Sequence, residues 1–102
     1  MMKVVEQRIW IHKDEVIDAI EIFEKGKLKY YSYTYKILSK KGDWIPMIRW
    51  DNFGRIPHVD KYDPHTGALV EQRNCSERNL TDVIHLVTSF RRNLFVMDLG
   101  AL

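Results

Sequence analysis

The chain has 102 residues, 45% hydrophobic and 29% charged, with a formal net charge of +2. This length supports one small domain with a single core, and the composition excludes a disordered chain. One cysteine, Cys75, excludes an internal disulfide and a multi-cysteine zinc site and fits a reducing, cytoplasmic location. No apolar run is long enough for a signal peptide or a membrane span, so no membrane association is expected.

Val4 to Ile11 alternates, with Val5, Ile9 and Ile11 on one side and Glu6 and Arg8 on the other. This predicts a half-buried strand. His12 to Glu15 reads as a turn. Val16 to Glu24 fits a helical stripe or a strand, and the strand is preferred. Lys25-Gly26 followed by "KLKYYSYTYKIL" has the form of a hairpin with glycine at a positive-φ position. In its second arm Tyr31, Tyr33, Tyr35 and Ile37 share one face, and Leu28, Tyr30, Ser32 and Thr34 share the other. The tyrosine row fits either a core face or an exposed aromatic surface.

After a turn at Lys40 to Asp43, Trp44 to Trp50 forms a further strand. Pro46 lacks an amide donor and belongs near that strand's end or on an edge. Asn52 to Arg55 makes a loop, Ile56 to Tyr62 extends again, Asp63 to Gly67 turns, and Ala68 to Arg73 closes another hairpin arm. Leu80, Val83, Ile84, Val87, Phe90 and Leu94 then recur at helical spacing. Asn79 is placed to cap that helix with Asp82 three residues on, and Arg91 and Arg92 lie near its C-terminal end. The closing "VMDLGAL" is expected to be a frayed tail, with docking into the sheet or onto a partner as the alternative. The expected class is α+β: an antiparallel, meander-like sheet of five to six strands followed by one C-terminal amphipathic helix packed on it, as a single domain over residues 1–102.

"YSYTYKI", "MIRWDN", a glycine-containing loop, "PHVDKYDPHTG" and the terminal amphipathic helix together resemble the TumE-like toxin family of toxin–antitoxin systems and its small relatives. The likeness covers roughly residues 28–95. Its specific part is Arg49, Trp50, Asp51, Asn52, Pro57, His58 and His65, an Arg-aromatic-Asp-Asn element followed by a histidine-bearing segment and a turn. The segment "FGRIPHVDKYDPH" holds fewer histidines than the His-rich form of that motif. The resemblance implies an RNA-cleaving toxin with an antitoxin protein as partner.

The residues themselves allow that chemistry. On an extended segment His58, Asp60 and Tyr62 project together. A carboxylate beside a histidine fixes its tautomer, and a tyrosine hydroxyl moves a proton. Arg49 and Arg55 suit a phosphate. The two lines together make His58, Arg49, Asp60 and Tyr62 the catalytic candidates, and Arg55, Asp51, Asn52 and His65 the substrate-binding ones. The competing reading makes Arg49, His58 and Asp60 cross-strand polar pairs on a solvated sheet face, with Asp51-Asn52 shaping a turn. A metal held by His58, Asp60 and His65 matches no known ligand spacing, so no metal or cofactor is expected. The second functional reading is a non-catalytic module that binds protein or forms a homodimer through a strand edge and the apolar tail.

Overall fold

A computed structural model of the chain describes residues 1–54 and 56–102. Six strands follow one another as an antiparallel meander: β1 (Met2–His12), β2 (Glu15–Glu24), β3 (Lys27–Leu38), β4 (Trp44–Asp51), β5 (His58–Tyr62) and β6 (Leu69–Asn74). The helix α1 (Leu80–Phe90) and two short 3-10 turns, Arg91–Val96 and Leu99–Ala101, complete the chain. The α+β class expected from the sequence is the observed one. Residues 16–24 lie in a strand, as preferred, because both neighbours pair with them along their whole length.

The core lies between the helix and one face of the sheet. Tyr31, Tyr33, Tyr35, Ile48, Trp50 and Val59 are fully buried there beneath Val83 and Val87. The tyrosine row is therefore core. Each hydroxyl keeps a polar partner, as a buried tyrosine requires: Tyr33 donates to Glu21, Tyr35 donates to Glu15, and Tyr31 accepts from the Arg78 amide. Asn79 caps α1 by accepting the Asp82 amide at 2.8 Å.

Four expectations change. The turn after β1 is Lys13-Asp14; Glu15 opens β2 and is fully buried. Its carboxylate accepts bonds from Tyr35 and Arg91, and Arg92 stands 3.9 Å away. Arg91 leaves the helix at φ 40°, so the two arginines neutralise a buried charge on β2 instead of the helix end. Leu94 belongs to the 3-10 turn beyond the helix and is buried in the same core. The tail is docked, not frayed: Leu99 and Leu102 are buried, and the Leu102 carbonyl oxygen accepts from Trp50 Nε1 and from the Arg78 guanidinium. Three leucines at irregular spacing cover the part of the sheet that an eleven-residue helix leaves bare.

Pro46 sits third in β4, beyond the stretch that β5 pairs with and beside a register shift against β3. The missing amide donor costs little there. Register shifts of this kind increase local twist and bend, and three more occur, at Trp10/His12, Ile22/Phe23 and Lys61/Tyr62. The sheet curls toward its helix-free face, where Trp10 of β1 meets the Trp44 ring of β4 at 5.6 Å. Val16, on that face, is fully buried.

Candidate functional site

The helix-free face is polar, and the strand register arranges it in two rows that cross all six strands. Directly opposed residues give Arg8, Asp18, Thr34, Arg49, Asp60 and Gln72 as one row. Glu6, Ile20, Ser32, Asp51, His58 and Asn74 form the next. Directly opposed side chains on antiparallel strands lie on the same face and touch. Arg49 and Asp51 are thus set against Asp60 and His58, a pairing that the sequence could not reveal.

The middle of this face is not solvated in the way a surface sheet is, although its outer residues on β1 and β6 are exposed. Asp51, His58 and Asp60 are each at most 7% exposed. The His58 Nδ1 lies 3.1 Å from the Ile56 carbonyl oxygen, which can only accept, so Nδ1 donates to it. Nε2 stands 3.9 Å from Asp51 Oδ1 and 3.7 Å from Asp60 Oδ2. Asp60 accepts from Gln72 Nε2 at 2.7 Å and from the Tyr62 hydroxyl at 3.4 Å. Asp51 accepts the Phe53 amide at 2.7 Å, the turn-shaping bond expected of it. The Arg49 guanidinium lies over the Tyr62 ring at 5.3 Å and 4.0 Å from Asp51 Oδ2. Its Nε is buried without a hydrogen-bond partner among the described residues. Burial pushes the Tyr62 hydroxyl above the ordinary tyrosine range; Arg49 opposes this and Asp60 adds to it.

Beside this cluster runs an open groove of about 430 Å³. Asp18, Ser32, Thr34, Lys36, Arg49 and Asp51 are among its lining residues, together with the aromatic rings of Trp44 and Phe53. Asp18 is tied to Arg8 at 2.7 Å and Lys36 at 2.9 Å, and chiefly the Arg8 bond holds its carboxyl below the usual range. His58, Asp60 and Tyr62 are not part of the groove wall; Arg49 and Asp51 connect the two.

Of the eight candidate residues, five gather here: Arg49, Asp51, His58, Asp60 and Tyr62. Asn52 does not. Its carboxamide accepts the Tyr31 amide at 2.8 Å and donates to the Lys29 carbonyl and Glu77, bracketing the start of β3 to the end of β4. His65 is exposed in the β5–β6 turn, where Asp63 accepts its amide. Arg55 lies outside the described residues. The face also holds Asp18, Thr34, Lys36, Trp44 and Gln72, which sequence reading did not select. Thr34 had a visible signal in its alternation with the tyrosines; the others depend on register.

Among the described residues no group of His, Cys, Asp or Glu is arranged to hold a metal ion, and no helix is long and apolar enough to cross a membrane. No protein-family model, curated protein or solved structure matches the chain.

Proposed function

We propose that this chain cleaves RNA without a metal, as the toxin of a toxin–antitoxin pair that acts in the cytoplasm and is neutralised by a protein partner. One observation carries the reading: an imidazole whose Nδ1 is anchored on a backbone carbonyl stands within 4 Å of two carboxylates, beside a guanidinium and a phenol on one polar face. The resemblance of "MIRWDN" and "PHVDKYDPHTG" to the TumE-like toxins supports it from the sequence side.

In this reading RNA lies along the groove, its bases against Trp44 and Phe53. Arg49, whose side chain is 37% exposed, binds the phosphate and neutralises charge that builds on phosphorus. His58 Nε2 takes the proton of the 2′-hydroxyl through one bridging water, since its side chain is only 5% exposed. The 2′-oxygen bonds to phosphorus as the bond to the 5′-oxygen breaks. Tyr62, kept protonated by its burial, gives its proton to that leaving oxygen. Asp60 stands between Tyr62 and His58 and returns the proton from imidazolium to tyrosinate. The products are a 2′,3′-cyclic phosphate and a 5′-hydroxyl.

The test compares RNA cleavage by the purified protein and by His58→Ala. Loss of cleavage in the variant, with an unchanged circular dichroism spectrum, is the expected result. Equal cleavage by both proteins places the activity elsewhere. A second reading, a module that works by binding protein, is favoured by the exposed apolar residues of the outer strand β1.

A further inference from the structure

The two outer strands of the sheet carry the same four residues, Val5-Glu6-Gln7-Arg8 in β1 and Val70-Glu71-Gln72-Arg73 in β6. In β6 two of these side chains are engaged, Gln72 with Asp60 and Arg73 with Asp98. In β1 only Arg8 has a charged partner; Glu6 makes no ion pair among the described residues. β1 is also the longer edge, eleven residues against six, and it contains no proline.

The backbone of β1 is open to a further strand. The Met1 carbonyl accepts the Lys25 amide, so odd-numbered residues turn their backbone groups toward β2. Val4, Glu6, Arg8 and Trp10 therefore turn theirs outward. Two of these four are large apolar residues left in water, Val4 at 59% and Trp10 at 60% exposure. A long edge of this kind is a template for strand pairing.

The sequence of β1 fits its own copy. With a two-fold axis at Gln7 and the strands antiparallel, Glu6 faces the partner's Arg8, Val4 faces the partner's Trp10, and Val5 faces the partner's Ile9. In each of these three central pairs the two side chains share a face of the joined sheet and are either oppositely charged or apolar, the combinations that stabilise cross-strand neighbours. Moving the axis by one residue sets Glu6 against Glu6 or Arg8 against Arg8. Of these three registers the one at Gln7 is complementary in charge.

We propose that this chain forms a symmetric dimer in which β1 pairs with β1 of a second copy about Gln7, joining two six-stranded sheets into one. Arg8 then stands between Asp18 of its own chain and the partner's Glu6. The polar rows of the helix-free face run on from one subunit into the other. The dimer does not depend on RNA cleavage.

Sedimentation velocity tests it. The wild-type protein is expected at twice its 12.2 kDa mass at concentrations of about 50 μM. Glu6→Lys and Arg8→Glu each place like charges across the axis and are expected to weaken association at least roughly tenfold. Mixed in equal amounts they restore it, because each new lysine then faces a new glutamate and the remaining Arg8 faces the remaining Glu6. Glu71→Lys, on the other edge, leaves the dimer intact. Val4→Pro is the second variant should Arg8→Glu fold poorly without its bond to Asp18. It removes one outward amide, spares the β1–β2 ladder, and is expected to weaken the dimer with an unchanged circular dichroism spectrum. A monomeric wild-type protein overturns the proposal. So does a dimer that survives Glu6→Lys or Val4→Pro, a mixture of two folded single variants that stays monomeric, or dissociation caused by Glu71→Lys instead.

Discussion

Leu99→Ala measures whether the last residues are part of the core. Leu99 is 1% exposed on a short 3-10 turn that lies against β5 and β6, and Leu102 beside it is 2% exposed. The substitution removes three buried carbons, worth roughly 2.4 kcal/mol at about 0.8 kcal/mol per methylene. A rigid site adds a cavity cost that carries Leu→Ala changes up to about 5 kcal/mol. Here the tail has little regular hydrogen bonding of its own: the Gly100 amide bonds the Asp98 carboxylate, and the Ala101 and Leu102 amides bond Asp98 and Leu99 carbonyls. It can close over the gap, so the expected loss is about 2–3 kcal/mol, read as a lower urea midpoint at constant m-value. For a domain of this size that corresponds to a fall in Tm of roughly 10–20 °C. A frayed tail gives a change within about 0.5 kcal/mol, the range of surface substitutions. A change that small would refute the docked tail and the role of the Leu102 carbonyl as acceptor for Trp50 and Arg78.

Glu15→Gln tests the buried carboxylate. Burial alone would raise the Glu15 pKa, but the bonds from Arg91 and Tyr35 outweigh it and hold the group below the ordinary glutamate range. A group lowered on folding contributes stability that is full above its unfolded pKa and is lost as pH falls through its folded one. The wild-type urea midpoint should therefore drop on acidification below the glutamate range, and Glu15→Gln should flatten that part of the curve; parallel curves would contradict it. Asn52→Ala removes the acceptor of the Tyr31 amide and is expected to cost about 1–3 kcal/mol while leaving RNA cleavage per folded molecule unchanged, measured by urea titration and a cleavage assay. Arg49→Lys keeps the charge but loses the planar fork, and cleavage is expected to fall at least roughly tenfold without loss of stability.

The fold was largely legible in the sequence because two periods are clean. Alternation in "YYSYTYKI" sorts tyrosines from Ser32 and Thr34, and the spacing from Leu80 to Val87 marks the helix. Glu15 has the sequence signature of a turn residue, because a charged residue between Asp14 and Val16 gives no local sign that Arg91 and Arg92, far along the chain, will neutralise it. The docking of the tail is not legible for a related reason: Leu94, Leu99 and Leu102 follow neither helical nor strand spacing, and their burial is decided by the area the helix leaves uncovered. At the candidate site, alternation was enough to put His58, Asp60 and Tyr62 on one face. Register decided the rest. Arg49 against Asp60 and Asp51 against His58 follow from the length of the β4–β5 connection and the pairing it permits, and one residue of slip would separate them. Asn52 stands in the motif beside Asp51, but its carboxamide is spent on backbone groups and Glu77.

The central claim, that Arg49, His58, Asp60 and Tyr62 cleave RNA through the 2′-hydroxyl, is tested most directly by the chemistry of the product ends. Purified protein is incubated with a defined RNA in the presence of a metal chelator, and the fragments are analysed by mass spectrometry. The account predicts 2′,3′-cyclic phosphate and 5′-hydroxyl ends, no cut at a 2′-deoxy position, and loss of these fragments with His58→Ala. Intact RNA, ends carrying 5′-phosphate and 3′-hydroxyl, or equal cleavage of an all-deoxy strand would contradict it.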